Sequence, residues 1–266
     1  MPTPVDVTAL RAALGQYAAV DVVPTTTSTN ADLAAAARGG AADRTVLIAD
    51  EQTAGQGRRS RGWVSPRGGL YLSVLLRPTP VPPPKLSWLT MLAGVAVVRT
   101  ARWAGAEAVL KWPNDLLLGP DRRKGAGILA EVSGTAVVLG IGLNVQPLPP
   151  DVPLGPGGLA PTSLADAGAT RLDRTDIAVH LLSGLATLES AWRDAVGDPA
   201  AGGYAEYVGY CATIGGRVRV ELPDREFTGT ATGVEPDGNL LVRTDDGTVH
   251  PVSAGDVVHL RPADPS

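Results

Sequence analysis

The sequence predicts an α/β (α+β) protein: a mixed β-sheet with helices packed on it, followed by a small barrel-like β module. Three observations carry that expectation. Apolar, β-branched runs of strand length alternate with segments of helical spacing as far as about residue 211. One apolar stretch, Leu86–Ala104, is long enough to cross a sheet as a helix. From Thr213 the texture changes to short alternating strands broken by turn dipeptides.

The elements follow in order. Val7–Gln16 reads as a short helix with Leu10 and Leu14 on one face, too short to hold a helix-turn-helix module. Tyr17–Val23 reads as a strand. Thr29 with Asp32 three residues later resembles a capping box, so an alanine-rich helix should start there and run to about Arg38, closed by Gly39-Gly40. Thr45–Asp50 has the β-branched character of a buried strand, and Gln52–Gly69 is a polar loop rich in glycine and arginine. Leu70–Arg77 returns to strand, and Pro78–Pro84 is a connector into the Leu86–Ala104 helix.

Strands are then expected at Ala108–Trp112, Asp115–Leu118, Gly125–Val132 and Ala136–Val145, with breakers at Pro113-Asn114, Gly119-Pro120 and Gly134. Pro147–Pro161 lacks periodicity and reads as a long loop, of the kind that is usually a functional lid or disordered. Asp176–Val196 carries Ile177, Leu181, Leu185 and Leu188 at helical spacing, and Tyr204–Cys211 is a shorter helix. The final strands are Arg217–Leu222, Glu226–Gly233, Leu240–Thr244, Thr248–Val252 and Val257–Arg261, turned by Pro223-Asp224, Asp237-Gly238 and Asp246-Gly247. The expected domains are 1–212 and 213–266.

Composition narrows the function classes. The chain has 266 residues, with 23 Lys+Arg against 27 Asp+Glu, which argues against bulk affinity for nucleic acid or anionic membrane. A single cysteine, Cys211, excludes an intramolecular disulfide framework and fits a reducing compartment; it reads as a small buried hydrophobe. The first residues show no signal-peptide pattern, and the apolar run Leu89–Val98 is too short to span a bilayer. A cytoplasmic location is expected. The chain has no P-loop motif and no nucleophile elbow, and His180, His250 and His259 lack metal-ligand spacing.

Four strings remain that could carry chemistry. Gly55-Gln56-Gly57-Arg58-Arg59-Ser60-Arg61-Gly62-Trp63 combines glycines that let backbone amides turn inward with bidentate cationic donors. It reads equally as an anion nest or as a solvated basic loop. Lys111-Trp112-Pro113-Asn114-Asp115 sets a lysine at a strand end before a stiff Trp-Pro pair, which also fits a plain Asn turn. Lys124–Glu131 and Gly140–Val145 carry glycines inside apolar strands, as when something must approach the backbone closely, or at a bulge.

Together with Ser28-Thr29-Asn30, the order and spacing of these strings resemble the biotin–protein ligase family. The resemblance runs from about Asp21 to the C-terminus, where the small β module is similar to the family's SH3-like domain. It is to the ligase-only kind, without the N-terminal DNA-binding domain of repressor-type members.

The resemblance implies activation of biotin by ATP to biotinyl-5′-AMP, then transfer to a lysine of the biotin carboxyl carrier domain of a carboxylase. Mg²⁺ is implied with the nucleotide, with ligands unassigned. The developing phosphoryl charge calls for positioned cations, with Lys111 and Arg58 as the catalytic pair. Biotin would contact Ser28, Thr29, Asn30, Gln52, Gly55, Arg58 and Lys111, with Gly127, Gly140 and Gly142 allowing close backbone approach. Arg58, Arg61, Trp63, Asn114 and Asn144 would serve the nucleotide.

Neither nucleic acid nor membrane is expected as a partner, and the expected state is a monomer or weak homodimer. Gln56 and Ser60 stand where the family usually has arginine and glycine, which predicts weaker loop closure and adenylate retention. The 52–69 loop is expected to be disordered or open without an anion, because its three closely spaced arginines repel one another. The rival readings are a lipoate–protein ligase on the same scaffold and a catalytically silent binding module.

Overall fold

The computed structural model describes residues 3–222, 225–253 and 256–259. The first body is a seven-stranded sheet. Its strands are β1 (Ala19–Val23), β2 (Thr45–Ala49), β3 (Leu70–Leu76), β4 (Ala108–Lys111), β5 (Asp115–Leu118), β6 (Arg123–Ser133) and β7 (Ala136–Leu143), in the spatial order β1-β2-β3-β7-β6-β5-β4. β1 and β2 are parallel and the other neighbours antiparallel, so the sheet is mixed, as expected.

Side chains alternate across a strand, so each strand serves two faces. On one face Leu72, Val74, Leu139, Ile141, Ala126 and Ile128 join the main core. That core is covered by α3 (Trp88–Ala104) and α4 (Arg174–Asp194). α3 buries thirteen of its residues, as a helix does when it is enclosed between a sheet and further helices. α1 (Val7–Ala13) and α5 (Tyr204–Tyr210) complete this layer through Leu10 and Tyr207.

On the opposite face only part of the sheet is covered. α2 (Thr29–Arg38) sets Leu33 and Ala37 against Leu75, Ala136 and Val138. The rows beyond Val138 on that face carry Gly140 and Gly142, and there the chain leaves a cavity. The start of α2 corrects the predicted capping box: the cap is Ser28, whose hydroxyl accepts from Ala31 N at 3.5 Å. Asp32 instead accepts from the Thr26 hydroxyl at 2.5 Å.

The second body is a five-stranded antiparallel sheet of β8 (Arg217–Glu221), β9 (Glu226–Val234), β10 (Leu240–Arg243), β11 (Val249–Val252) and β12 (Asp256–His259), ordered β11-β10-β9-β8-β12. The predicted turn at Pro223-Asp224 and the strand end at 260–261 lie outside the described residues. Trp112 locks the two bodies together. Its backbone N–H donates to Thr213 Oγ1 and its indole N–H to the Gly238 carbonyl, both at 2.9 Å.

Candidate active site

The uncovered part of the sheet floors a cavity of about 490 Å³. It is walled by the start of α2, the 56–64 loop, the Lys111–Asp115 turn, the 148–161 loop and Val257 of β12. Of the residues singled out from the sequence, the structure brings Ser28, Thr29, Asn30, Gln52, Arg58, Arg61, Trp63, Lys111, Asn114, Gly127, Gly140, Gly142 and Asn144 to these walls. Gly55 is outside them. Its carbonyl accepts from Trp63 N at 2.8 Å, and a side chain there would strike the Trp63 carbonyl, so it closes the loop's neck.

One end of the cavity is neutral and polar. Gln52 Oε1 accepts from the Thr29 backbone N–H at 2.9 Å and lies 3.1 Å from the Thr29 hydroxyl, while Gln52 Nε2 donates to Ser65 Oγ at 2.9 Å. Ser28, Thr29 and Asn30 are all buried, held in place by the first turn of α2.

The glycines have particular neighbours. Paired strands put Ser73, Gly140 and Leu129 in one row and Tyr71, Gly142 and Gly127 in the next. The Asn30 amide fills the space over Gly140, and the Trp63 indole fills the space over Gly142 and reaches Gly127. The close approach predicted from the sequence is therefore made here by the protein's own side chains. The loop expected to be disordered or open lies over the sheet in this structure. It is pinned by this indole, by a bridge between Gln56 and Gly62, and by Gly57 N donating to Arg61 O at 2.7 Å. Arg59 and Ser60 both sit at φ 56°, where glycine is at ease and other residues are strained. That explains why glycine would suit position 60.

The other end is cationic. Asp115, 6 % exposed, binds Lys124 Nζ at 2.6 Å and lies 3.8 Å from Lys111 Nζ, so one buried carboxylate orients two lysines. Lys124 also stands over the Trp63 ring, 5.3 Å from its centre. Arg58 and Arg61 stand on the loop above. Asn114 spends its Nδ2 on the Ile128 carbonyl at 2.8 Å, fixing the turn to β6. Asn144 donates Nδ2 to the Thr162 carbonyl at 2.9 Å, which leaves Oδ1 buried without a hydrogen-bond partner among the described residues. The Trp63 indole N–H is likewise buried and without a partner among the described residues. Buried orphans of this kind call for an explanation, and in a cavity wall a ligand supplies one.

Sequence reasoning passed over Asp115 and Lys124 as site residues, although both lay inside the quoted strings. Their signal is tertiary, because β5 and β6 must pair before the carboxylate meets the lysine. Ser73 was missed for the same reason. The 148–161 loop contributes Leu148, Val152, Pro153, Leu154 and Leu159, an apolar wall with no aromatic ring. Cys211 is buried and free, in keeping with its apolar reading. Among the described residues there is no cluster of three or more His, Cys, Asp or Glu side chains that could hold a metal ion.

Fold and site together define a two-domain α/β protein with a cavity on the bare face of its mixed sheet. A solved biotin protein ligase from Aquifex aeolicus, in complex with biotin and ATP, superposes with a TM-score of 0.75, covering 92% of this chain and 100% of that one at 24% identity. At that identity the likeness speaks for the fold. The biotin/lipoate A/B protein ligase family model matches residues 22–146, and the biotin protein ligase C-terminal domain model matches residues 213–260. The biotin--[acetyl-CoA-carboxylase] ligase of Mycobacterium tuberculosis is 45% identical over 249 residues, 91% of this chain and 89% of that protein. The bifunctional ligase/repressor BirA of Bacillus subtilis is 36% identical over 85% of this chain and 69% of its own length. The chain belongs to the biotin/lipoate A/B protein ligase family, and with its C-terminal domain to the biotin protein ligases within it.

Proposed function

We propose that the cavity holds biotin and ATP side by side and joins them. The biotin carboxylate attacks the α-phosphorus, pyrophosphate leaves, and biotinyl-5′-AMP forms. A lysine ε-amine of a biotin carboxyl carrier domain then attacks the acyl carbon, giving the amide and releasing AMP. The observation that carries this reading is the pairing of a buried neutral polar end with a cationic end across a glycine floor. A neutral polar end suits a ureido group, and a cationic end suits a carboxylate meeting a phosphate.

Ser28, Thr29 and Gln52 take the ureido group, and a site that pairs such a group discriminates strongly against acids lacking one. Lys111 and Arg58 act on the carboxylate and α-phosphate, as read from the sequence. Lys124, less buried than Lys111 and on the same carboxylate, joins them as a second cation. Arg61 closes over the phosphate. Asn144 Oδ1 accepts an N–H of the purine. Mg²⁺ enters as the nucleotide's own counterion: Asp115 is already engaged by two lysines, so these side chains do not form a resident metal site.

We read residues 1–212 as the catalytic domain and 213–266 as the small β domain. Val257 reaches the cavity, so the second domain completes the first. One chain supplies the walls described, which suits a monomer or weak homodimer working in the cytoplasm beside its carrier protein. No helix among the described residues is long and apolar enough to cross a membrane.

The test is mass spectrometry of the purified protein with biotin, ATP and Mg²⁺, with lipoate in parallel. Biotinyl-AMP is expected, with the rate lowered about a hundredfold or more in Lys111→Ala and in Lys124→Ala. An adenylate from lipoate alone would move the site to the family's other branch.

A further inference from the structure

We infer that Glu131, at the far edge of the polar end, is a positioning residue that sets the hydrogen-bond polarity of the slot through Asn30. This rests on the reading that the polar end receives biotin's ureido group. Asn30 lies across the row Ser73–Gly140–Leu129. Its Nδ2 donates to Glu131 Oε2 at 2.6 Å and to the Leu129 carbonyl at 3.3 Å, and its Oδ1 accepts from the Ser73 hydroxyl at 2.6 Å. An amide can be turned either way in principle. Here a carboxylate and a carbonyl, both pure acceptors, fix the NH₂ on the β6 side.

The consequence passes inward. With Asn30 Oδ1 facing Ser73, the one proton of the Ser73 hydroxyl is committed to Asn30. The 2.7 Å contact between the Ser73 and Thr29 hydroxyls is then donated by Thr29, whose other neighbour, Gln52 Oε1 at 3.1 Å, also accepts. Thr29 thus offers the slot lone pairs and no proton. A slot that accepts suits the N–H groups of a cyclic urea and disfavours an acceptor at the same place. Glu131 is exposed, whereas Asn30, Ser73 and Thr29 are buried, so a carboxylate outside the cavity sets the polarity of groups inside it. Gly140 belongs to the same device: a side chain there would overlap the Asn30 amide.

The experiment measures KM for biotin, KM for ATP and kcat of adenylate formation in the full-length protein, with thermal midpoints recorded alongside. Glu131→Ala should raise KM for biotin about tenfold, the loss of one hydrogen bond to a charged group, with KM for ATP and kcat unchanged. Glu131→Gln keeps an acceptor oxygen and should restore most of the affinity. Gly140→Ala should reproduce the Glu131→Ala phenotype, and the two together should be less than additive.

An unchanged KM for biotin in Glu131→Ala, an equal loss in Glu131→Gln, or a loss confined to kcat or to ATP would overturn the inference while leaving the ligase reading intact. A wild-type protein that makes no biotin adenylate would overturn both.

Discussion

The two faces of the seven-stranded sheet are made by the same strands and solve opposite problems. On the helix-packed face β7 presents Leu139 and Ile141, each at most 2 % exposed. On the other face the intervening residues are Gly140 and Gly142, whose missing side chains make room for Asn30 and Trp63. Alternation lets one strand hold up the core with every second residue and shape the site with the rest. Stability and ligand recognition should therefore be separable at adjacent positions.

The largest expected effect tests that separation on the core side. Leu139→Ala removes a fully buried side chain one residue from Gly140 and should cost about 2–5 kcal/mol of stability in a urea titration. KM for biotin in the folded fraction should stay near wild type. A biotin KM that rose in step with the lost stability would mean that the faces are mechanically coupled.

The site side gives the next effect. In Gly142→Ala the added methyl meets the Trp63 indole, which must lift. Crowding of this kind costs about 1–3 kcal/mol, and we expect it as a weaker hold on ligand and faster cleavage of the 52–69 loop by protease. The thermal midpoint should hardly change, because Trp63 belongs to the loop and not to the main core. A drop in midpoint as large as that of Leu139→Ala would erase the distinction.

These two faces also divide what was legible in the sequence. The helix-packed face was readable because its signal is local. The seven consecutive buried residues of β3 and the apolar spacing of α3 and α4 mark strands and helices wherever they occur. The glycines of β7 were legible as oddities, since glycine weakens a strand unless something lies on it. What would lie on them was not, because Asn30 and Trp63 reach that spot only after α2 and the loop have folded over the sheet. The Asp115–Lys124 pair and the chain from Glu131 to Thr29 were hidden for the same reason. Strand order was equally opaque, because β3 pairs with β7 across all the residues between them, and no turn dipeptide announces such a pairing.

The smallest effect concerns the strand ends remote from the cavity, where Asp43 lies between Arg193 and the backbone N–H of Arg77. Burial alone would raise its carboxyl pKa. The hydrogen bonds from Arg193 and from the Arg77 backbone, with the charges of Arg193 and Arg44, outweigh it and hold the group below its usual value. With the folded pKa depressed, the unfolded chain takes up the proton first as pH falls. The stabilisation is thus complete above the unfolded value of about 4 and is lost as pH drops through the folded one. The side chain is 33% exposed, so solvent screening limits the contribution to about 1 kcal/mol. Asp43→Asn should therefore lower the thermal midpoint slightly at pH 7, and the gap from wild type should close below about pH 4. Biotin KM at pH 7 should not move, because this network joins α4 to the β2 and β3 ends that lie away from the cavity. A gap that persisted unchanged at pH 3 would mean that Asp43 stabilises through packing, with its charge contributing nothing.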